Sequence, residues 1–326
     1  MKAAVRDRYG PPEIVRVEEI DTPVASGDQV LVRVEAASVN RADLDGLYPR
    51  WQFTRLSSGV RKPKSRRVGL DVAGVIESVG PDVTRFRPGD RVFGDLFAFG
   101  QGAFAEYVCA PERAFASMPA ALSFDDAAAL PHSAILAIQA LRLRNGRTVR
   151  AGDRVLVVGA SGNVGPFAVQ VAQALGAEVT GVCQTRKVDF VRSLGVEHVI
   201  DYTTTDFTTT GERYDWIVDV EARHSLLRSR RALAPNGAYV SLGGPTAAIF
   251  EGMLLGPVIS KAVGKPMGVL LWWKPFDADD VAALKVLVAA GQVKPVIDRR
   301  YPLGEVVDAL RYVDEGRASG KVVVTI

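Results

Sequence analysis

The chain has 326 residues, about twice a common domain, so two domains are expected, with a single closed barrel as the alternative. Hydrophobic residues make up 48% and charged residues 24%, a balance that excludes intrinsic disorder. The 40 Lys and Arg against 37 Asp and Glu leave only +3, which argues against a nucleic-acid binder.

The N-terminus, MKAAVRDRYGPP, lacks the apolar core of a secretory signal, so a cytoplasmic protein is expected. The first 120 residues read as strands. Residues 29–37 (QVLVRVEAA) alternate β-branched and polar side chains, 71–79 (DVAGVIESV) are more apolar, and 104–110 (FAEYVCA) close the series. Turns at Ser26-Gly27-Asp28, Gly80-Pro81-Asp82 and Pro88-Gly89-Asp90 punctuate them, which predicts a β-rich, barrel-like module. From Ser123, an N-cap residue, the period becomes helical over 124–130 and 134–143, with a break at Pro131. Strands at 154–158, 178–182, 198–201, 216–220 and 238–242 then alternate with helices at 164–175 and 187–194, which predicts a parallel, doubly wound sheet. The apolar stretch 252–273 is interrupted by Pro257, Lys261, Lys265 and Pro266, so no membrane span is expected. Helices at 279–290 and 305–314 and strands at 295–298 and 321–326 end the chain. The last strand is placed to return to the N-terminal module, giving an α/β chain with one domain at 1–123 completed by 266–326 and a second at 124–265.

The strongest local signal is Val155-Leu156-Val157-Val158-Gly159-Ala160-Ser161-Gly162-Asn163-Val164-Gly165, an apolar strand running through a glycine-rich turn into a helix. Gly159, Gly162 and Gly165 permit a tight turn and close backbone approach. With Ser161, Asn163 and Val164 they set the free N–H groups of a helix N-terminus against a pyrophosphate. Pro166 in the first turn costs little, because that N–H has no intrahelical partner. An NAD site places an acid at the end of the next strand to hold the ribose 2′-OH. Here the residues are Gln184, Thr185, Arg186 and Lys187, a hydroxyl and two cations suited to a 2′-phosphate, so NADPH is the expected cofactor.

Beyond this loop, several motifs fall in order: Val39-Asn40-Arg41-Ala42-Asp43, Gly69-Leu70-Asp71-Val72-Ala73-Gly74, Pro88-Gly89-Asp90-Arg91-Val92-Phe93, His198-Val199-Ile200-Asp201-Tyr202 and Gly320-Lys321-Val322-Val323. With them the sequence resembles the medium-chain dehydrogenase/reductase superfamily, most of all its zinc-free quinone oxidoreductase (zeta-crystallin-like) branch. The resemblance implies a GroES-like β-barrel catalytic domain closed by the C-terminal tail, a Rossmann domain, and a homodimer. It also implies that no metal is used, since zinc-dependent members carry Gly-His-Glu where this chain has Gly69-Leu70-Asp71 and a four-cysteine lobe near 97–104. Only two cysteines, Cys109 and Cys183, and three histidines, His132, His198 and His224, are present, without metal-binding spacing.

The resemblance further assigns Asn40 to the nicotinamide end of the cleft, Tyr202 to the adenosine 2′-phosphate beside Lys187, and Gly243 and Gly244 to the backbone near the nicotinamide. Each also reads as a local structural residue: Asn40 and the two glycines as turn formers, and Tyr48 as either a donor to a substrate carbonyl or a packed ring. His132, between apolar helical segments, reads as a core or supporting histidine. Residues 50–67 hold seven cations and no acid, leaving −4 on the remainder, and are expected to form a solvated loop or a patch for an anionic substrate. The expected activity is NADPH-dependent hydride delivery to a small-molecule quinone or an α,β-unsaturated carbonyl. The alternatives are an enoyl-thioester (acyl-CoA) reductase and an NADPH-binding protein with little catalysis.

Overall fold

In a computed structural model, residues 1–48 and 59–326 are described. They divide into two compact units: residues 1–133, 275–281 and 295–326 form one, and residues 134–274 and 282–294 the other.

The first unit is built on antiparallel strands. β1 (Lys2–Val5) and β2 (Arg16–Glu19) pair as a separate ribbon. β3 (Gln29–Val39) is the longest strand, and its pleat sends Val32, Val34 and Ala36 inward while Arg33 and Glu35 stay nearer the surface. β4 (Asp71–Val79) pairs along its length, β5 (Arg91–Asp95) pairs with β4, and β6 (Tyr107–Pro111) pairs with the first half of β3. β7 (Phe115–Ser117) closes that side against β5. Helix α1 (Arg41–Leu47) leaves β3 at once, its entry fixed by Asp43, whose carboxylate accepts the Asn40 N–H at 2.7 Å. Ser123 caps α2 (Phe124–Ala128) by accepting the Asp126 N–H, and Pro131 opens α3 (Pro131–Ala140), so the expected break is present.

The second unit carries the parallel sheet. β8 (Arg154–Val158), β9 (Glu178–Cys183), β10 (His198–Asp201), β11 (Tyr214–Asp219), β12 (Leu233–Ser241) and β13 (Met267–Val269) align in the order β10-β9-β8-β11-β12-β13, all pairs parallel. The chain starts in the middle at β8, steps outward to β10 and returns to β11. The direction of winding therefore reverses between β8 and β11, where doubly wound folds hold ligands. Helix α4 (Gly165–Ala174) packs on β8 and β9.

Two expectations about this unit change. Its boundary falls at 133/134 instead of 123/124, and it runs on to Lys274 because β13 adds to the parallel sheet beyond β12. The stretch read as broken is also helical over Thr246–Val263, long and apolar enough to cross a membrane by length and composition alone. Pro257 is accommodated because the turn before it, Glu251–Leu255, widens into a π-helix, which relieves the missing N–H. The helix lies on β13 through small residues: a Cβ on Gly252 would meet Val269 at 2.5 Å, one on Gly256 would meet Met267 O at 3.0 Å, and Ser260 Oγ both donates to and accepts from the Met267 backbone.

The chain then returns to the first unit. β14 (Ile297–Pro302) and β15 (Lys321–Thr325) run parallel to each other, and β15 pairs antiparallel with residues 36–39 of β3. Val322, Val323 and Val324 are fully buried.

Candidate active site

Sheet register gathers a set of polar groups at one end of the first unit. Val323 lies opposite Ser38, Ser38 opposite Asp71, and Asp71 opposite Asp95, so one row of the pleat crosses four strands. Asn40 follows that row just past the end of β3, and Lys321 starts β15 beside it. His132 and Ser133 arrive from the first turn of α3, where the chain passes from one unit to the other.

These side chains bond to one another. Asn40 Oδ1 accepts from Lys321 Nζ at 2.6 Å and from Ser133 Oγ at 3.0 Å, while Asn40 Nδ2 donates to Asp71 Oδ2 at 2.9 Å. The same carboxylate oxygen accepts from Ser38 Oγ at 3.1 Å and Lys321 Nζ at 3.3 Å, and Asp71 Oδ1 accepts the His132 N–H at 2.9 Å. The His132 ring sits with Nδ1 2.9 Å from Asp95 Oδ2, and Asp95 Oδ1 accepts the Phe97 N–H. Burial pushes Asp71 up and Lys321 down from their ordinary values, and their mutual attraction pulls each back. Burial also works against a charged His132, but the Asp95 carboxylate and its hydrogen bond outweigh it, with Asp71 adding to them, so the imidazole pKa lies above the ordinary value. Asp43, in the same surroundings, is pushed up to about 7 by burial, against the Asn40 N–H that favours its anion.

Asn40 therefore lies at the hub of this network, with both ends of its amide held inward and 1% of the residue exposed. Tyr48 is not part of it. As the C-cap of α1 it is half-buried with its hydroxyl against Asp314, and burial together with that carboxylate holds its pKa well above the ordinary phenol value, which makes it a poorer acid. Residues 50–58 of the basic run lie outside the described residues. Of the rest, Arg66 is paired with Asp7 and Glu18, while Arg61, Lys62 and Lys64 are exposed.

In the second unit the glycine loop has the shape its sequence implies. Gly159 has φ +84, and a Cβ on Gly165 would lie 2.1 Å from the Gly159 carbonyl oxygen, so the first and last glycines are required by the turn itself. A Cβ on Gly162 would meet only that same oxygen, at 3.5 Å, so the loop stays open there. Ser161 and Val164 are buried, with Asn163 between them and the N-terminus of α4. These groups suit a dinucleotide's pyrophosphate. Past the end of β9, Lys187 is buried and Arg186 is exposed, and Tyr202, which follows β10, is exposed. Thr185 spends its hydroxyl on Asp201 at 2.6 Å, an acid on the neighbouring strand that sequence spacing missed because it lies one strand farther on. Thr203 donates its hydroxyl and N–H to the other Asp201 oxygen, so both oxygens of that carboxylate are engaged. Arg223, also unforeseen, stands over the Tyr202 ring at 5.6 Å. Gly243 and Gly244 follow β12. A Cβ on Gly244 would meet Glu221 O at 2.6 Å and Ala222 at 2.7 Å, so close packing on the turn after β11 already accounts for it.

Comparison with known proteins fits this arrangement. Residues 26–120 match the alcohol dehydrogenase GroES-like domain family, and 194–324 match the family described as zinc-binding dehydrogenase. The mouse mitochondrial NAD(P)H oxidoreductase RTN4IP1 is 33% identical over all of this chain and 89% of its own. The tomato 2-methylene-furan-3-one reductase is 30% identical over 99% of this chain and 79% of its own. The solved quinone oxidoreductase of Coxiella burnetii superposes with a TM-score of 0.86 at 28% identity, over 100% of this chain and 99% of its own.

The network's energetics are testable. Lys321→Met leaves Asp71 buried without its cation and is expected to lower stability by about 3–5 kcal/mol in urea unfolding, with Asp71→Asn in the same chain restoring most of the loss. For Asp43, the folded pKa near 7 exceeds the unfolded value, so its contribution is full below about pH 4 and is lost as pH rises to 7. Asp43→Asn, which keeps an acceptor for the Asn40 N–H, is expected to gain about 3 kcal/mol relative to wild type between pH 4 and pH 8.

Proposed function

The chain belongs to the medium-chain dehydrogenase/reductase superfamily, in its quinone oxidoreductase branch, and on that premise we propose a metal-independent, NADPH-dependent reductase of quinones or α,β-unsaturated carbonyls. The observation that carries this reading is the placement of Lys321. Its ammonium faces Asp71 and Asn40, so the oxygens that would ligate a divalent ion already serve a cation, and Leu70 beside them offers no donor. Zinc does not fit those residues. Without such an ion, oxidation of a simple alcohol loses a strong means of stabilising its alkoxide, whereas reduction of a conjugated carbonyl or quinone needs only a hydride and a proton donor. The names of the tomato and Coxiella proteins point the same way.

For the cofactor, Gly159, Gly162 and Gly165 with the N-terminus of α4 hold the pyrophosphate, and Lys187, Arg186 and Tyr202 read the 2′-phosphate, joined by Arg223. Asp201 reads as framework because its oxygens are taken by Thr185 and Thr203, which leaves the cations to choose NADPH over NADH. Bound there, the reduced nicotinamide supplies the hydride.

We also propose a homodimer. The side of Thr246–Val263 turned away from β13 exposes Phe250, Leu254, Leu255 and Val258. Its small residues are spent on β13 and Lys261 is the single cation of the helix, too few for a basic face toward lipid headgroups, so a second copy of the same apolar surface is the better cover.

NADPH oxidation is expected with 1,4-quinones or 2-alkenones. Turnover only with enoyl-CoAs would move the substrate class, and NADPH binding without any turnover would make the chain a binding protein. Arg186→Ala with Lys187→Ala should raise the KM for NADPH at least about tenfold and leave NADH nearly unchanged; equal losses would refute the preference. Sedimentation should give a dimer that Leu254→Glu with Val258→Glu dissociates, whereas a monomer that co-floats with anionic vesicles would assign the face to a membrane.

A further inference from the structure

A reductase of this kind needs a proton as well as a hydride, and neither Asn40 nor Tyr48 is arranged to give one. Asn40 has no acidic proton, and Tyr48 is held by Asp314 as a poor acid. The buried network offers another source. Its members Ser38, Asn40, Asp43, Asp71, Asp95, Ser133 and Lys321 are at most 2% exposed, whereas His132 keeps 6%. His132 is thus the least enclosed member of the network. It lies in the first turn of α3, with the ring of Phe97, itself 44% exposed, 5.7 Å away.

We propose that His132, charged and oriented by Asp95, is the acid that protonates the reduced substrate. This rests on the reductase reading above. Asp95 fixes the ring through Nδ1, which assigns the transferable proton to Nε2. The groups facing the imidazole from every side are Asp95 on β5, Asp71 on β4, Lys321 on β15 and Asp43 on α1, with the two carboxylates nearest in the bonding pattern. An imidazolium is what balances a carboxylate buried as deeply as Asp95.

The chemistry closes. In an enone, a hydride from the reduced nicotinamide forms a C–H bond at the β-carbon, and the displaced π pair moves to the carbonyl oxygen as an enolate. The His132 Nε2–H bond breaks as an O–H bond forms, and the enol relaxes to the saturated ketone. In a quinone, the hydride supplies two electrons and His132 one proton, giving the hydroquinone. The neutral imidazole beside Asp95 regains its proton from water.

The test pairs a spectroscopic readout with kinetics. Nitrogen-15 spectra of the three histidines in the cofactor-free protein, with His132→Gln for assignment, should show His132 still charged at pH 7, and Asp95→Asn should lower its titration by at least one pH unit. In turnover, His132→Gln should cut kcat at least 50-fold while NADPH binding stays within twofold. Asp95→Asn should move the alkaline limb of the kcat profile by the shift seen in the spectra. An active wild type whose His132→Gln variant stays within threefold of its kcat overturns this role alone, as does an Asp95→Asn variant whose spectrum shifts and whose rate profile does not. Should His132→Gln not fold, the Asp95→Asn comparison decides. A wild type that turns over no acceptor overturns the reductase reading and this role with it.

Discussion

The first unit depends on a single buried contact, the ammonium of Lys321 against Asp71 and Asn40. Two charges taken out of water are a net gain only when geometry and added hydrogen bonds satisfy both. Here they do: Lys321 also reaches Ser133, and Asp71 accepts from Ser38, Asn40 and the His132 backbone. The pair ties together chain segments 250 residues apart, and it exists in only one register. A slip of one residue in β15 would turn Lys321 to the other face and leave Asp71 alone, so the pair selects the register as strongly as the valines beside it.

The two units meet different demands with different means. In the first, charge is concentrated where backbone ends converge, and the sheet row from Val323 to Asp95 acts as the ruler. In the second, the requirement is empty space. Gly165 lets α4 come within contact of the turn at Gly159, and the loop at Gly162 stays clear for a group that brings its own negative charge. Around the end of β9 the electrostatics are mixed: Arg186, Lys187 and Arg223 are opposed by Asp201, whose hydrogen bonds hold its pKa below the ordinary carboxylate value. Asp201 keeps its charge, and Glu221 pairs with Arg223 at 3.4 Å, so Arg186 and Lys187 are the cations these acids leave to the end of β9.

Period and punctuation made most of the architecture legible. The apolar run 71–79, the alternation in 29–37 and the β-branched final strand all carry their own signal, and so does the glycine turn after β8. What stayed hidden were relations between distant residues. Lys321 and Asp71 each head an apolar strand, a charge at the entrance to a buried run, but nothing local says that one answers the other. Thr185 looked like a phosphate ligand because its partner Asp201 lies sixteen residues on, in the adjacent strand. Asn40 looked like a residue facing the cofactor, and its amide is in fact the hub of the network. The helix Thr246–Val263 was masked by Pro257, since a π-turn that absorbs a proline has no sequence period of its own.

The charge count of the buried network explains why a histidine belongs in it. Asp71 is matched by Lys321 and Asp95 by His132, so the two pairs balance together, and Asp43, with its pKa raised to about 7, is the acid left over. With Asp43 protonated the two ion pairs and Asp43 together carry no net charge. Loss of the His132 proton leaves one uncompensated carboxylate in a medium that stabilises it poorly, so the network draws a proton back after each release. A neutral polar residue at 132 would make that imbalance permanent. A lysine there would place a second strongly held cation near Lys321 and would give up its proton less readily. Imidazole, whose ordinary pKa is near neutrality, is the side chain that both balances Asp95 and releases a proton on demand.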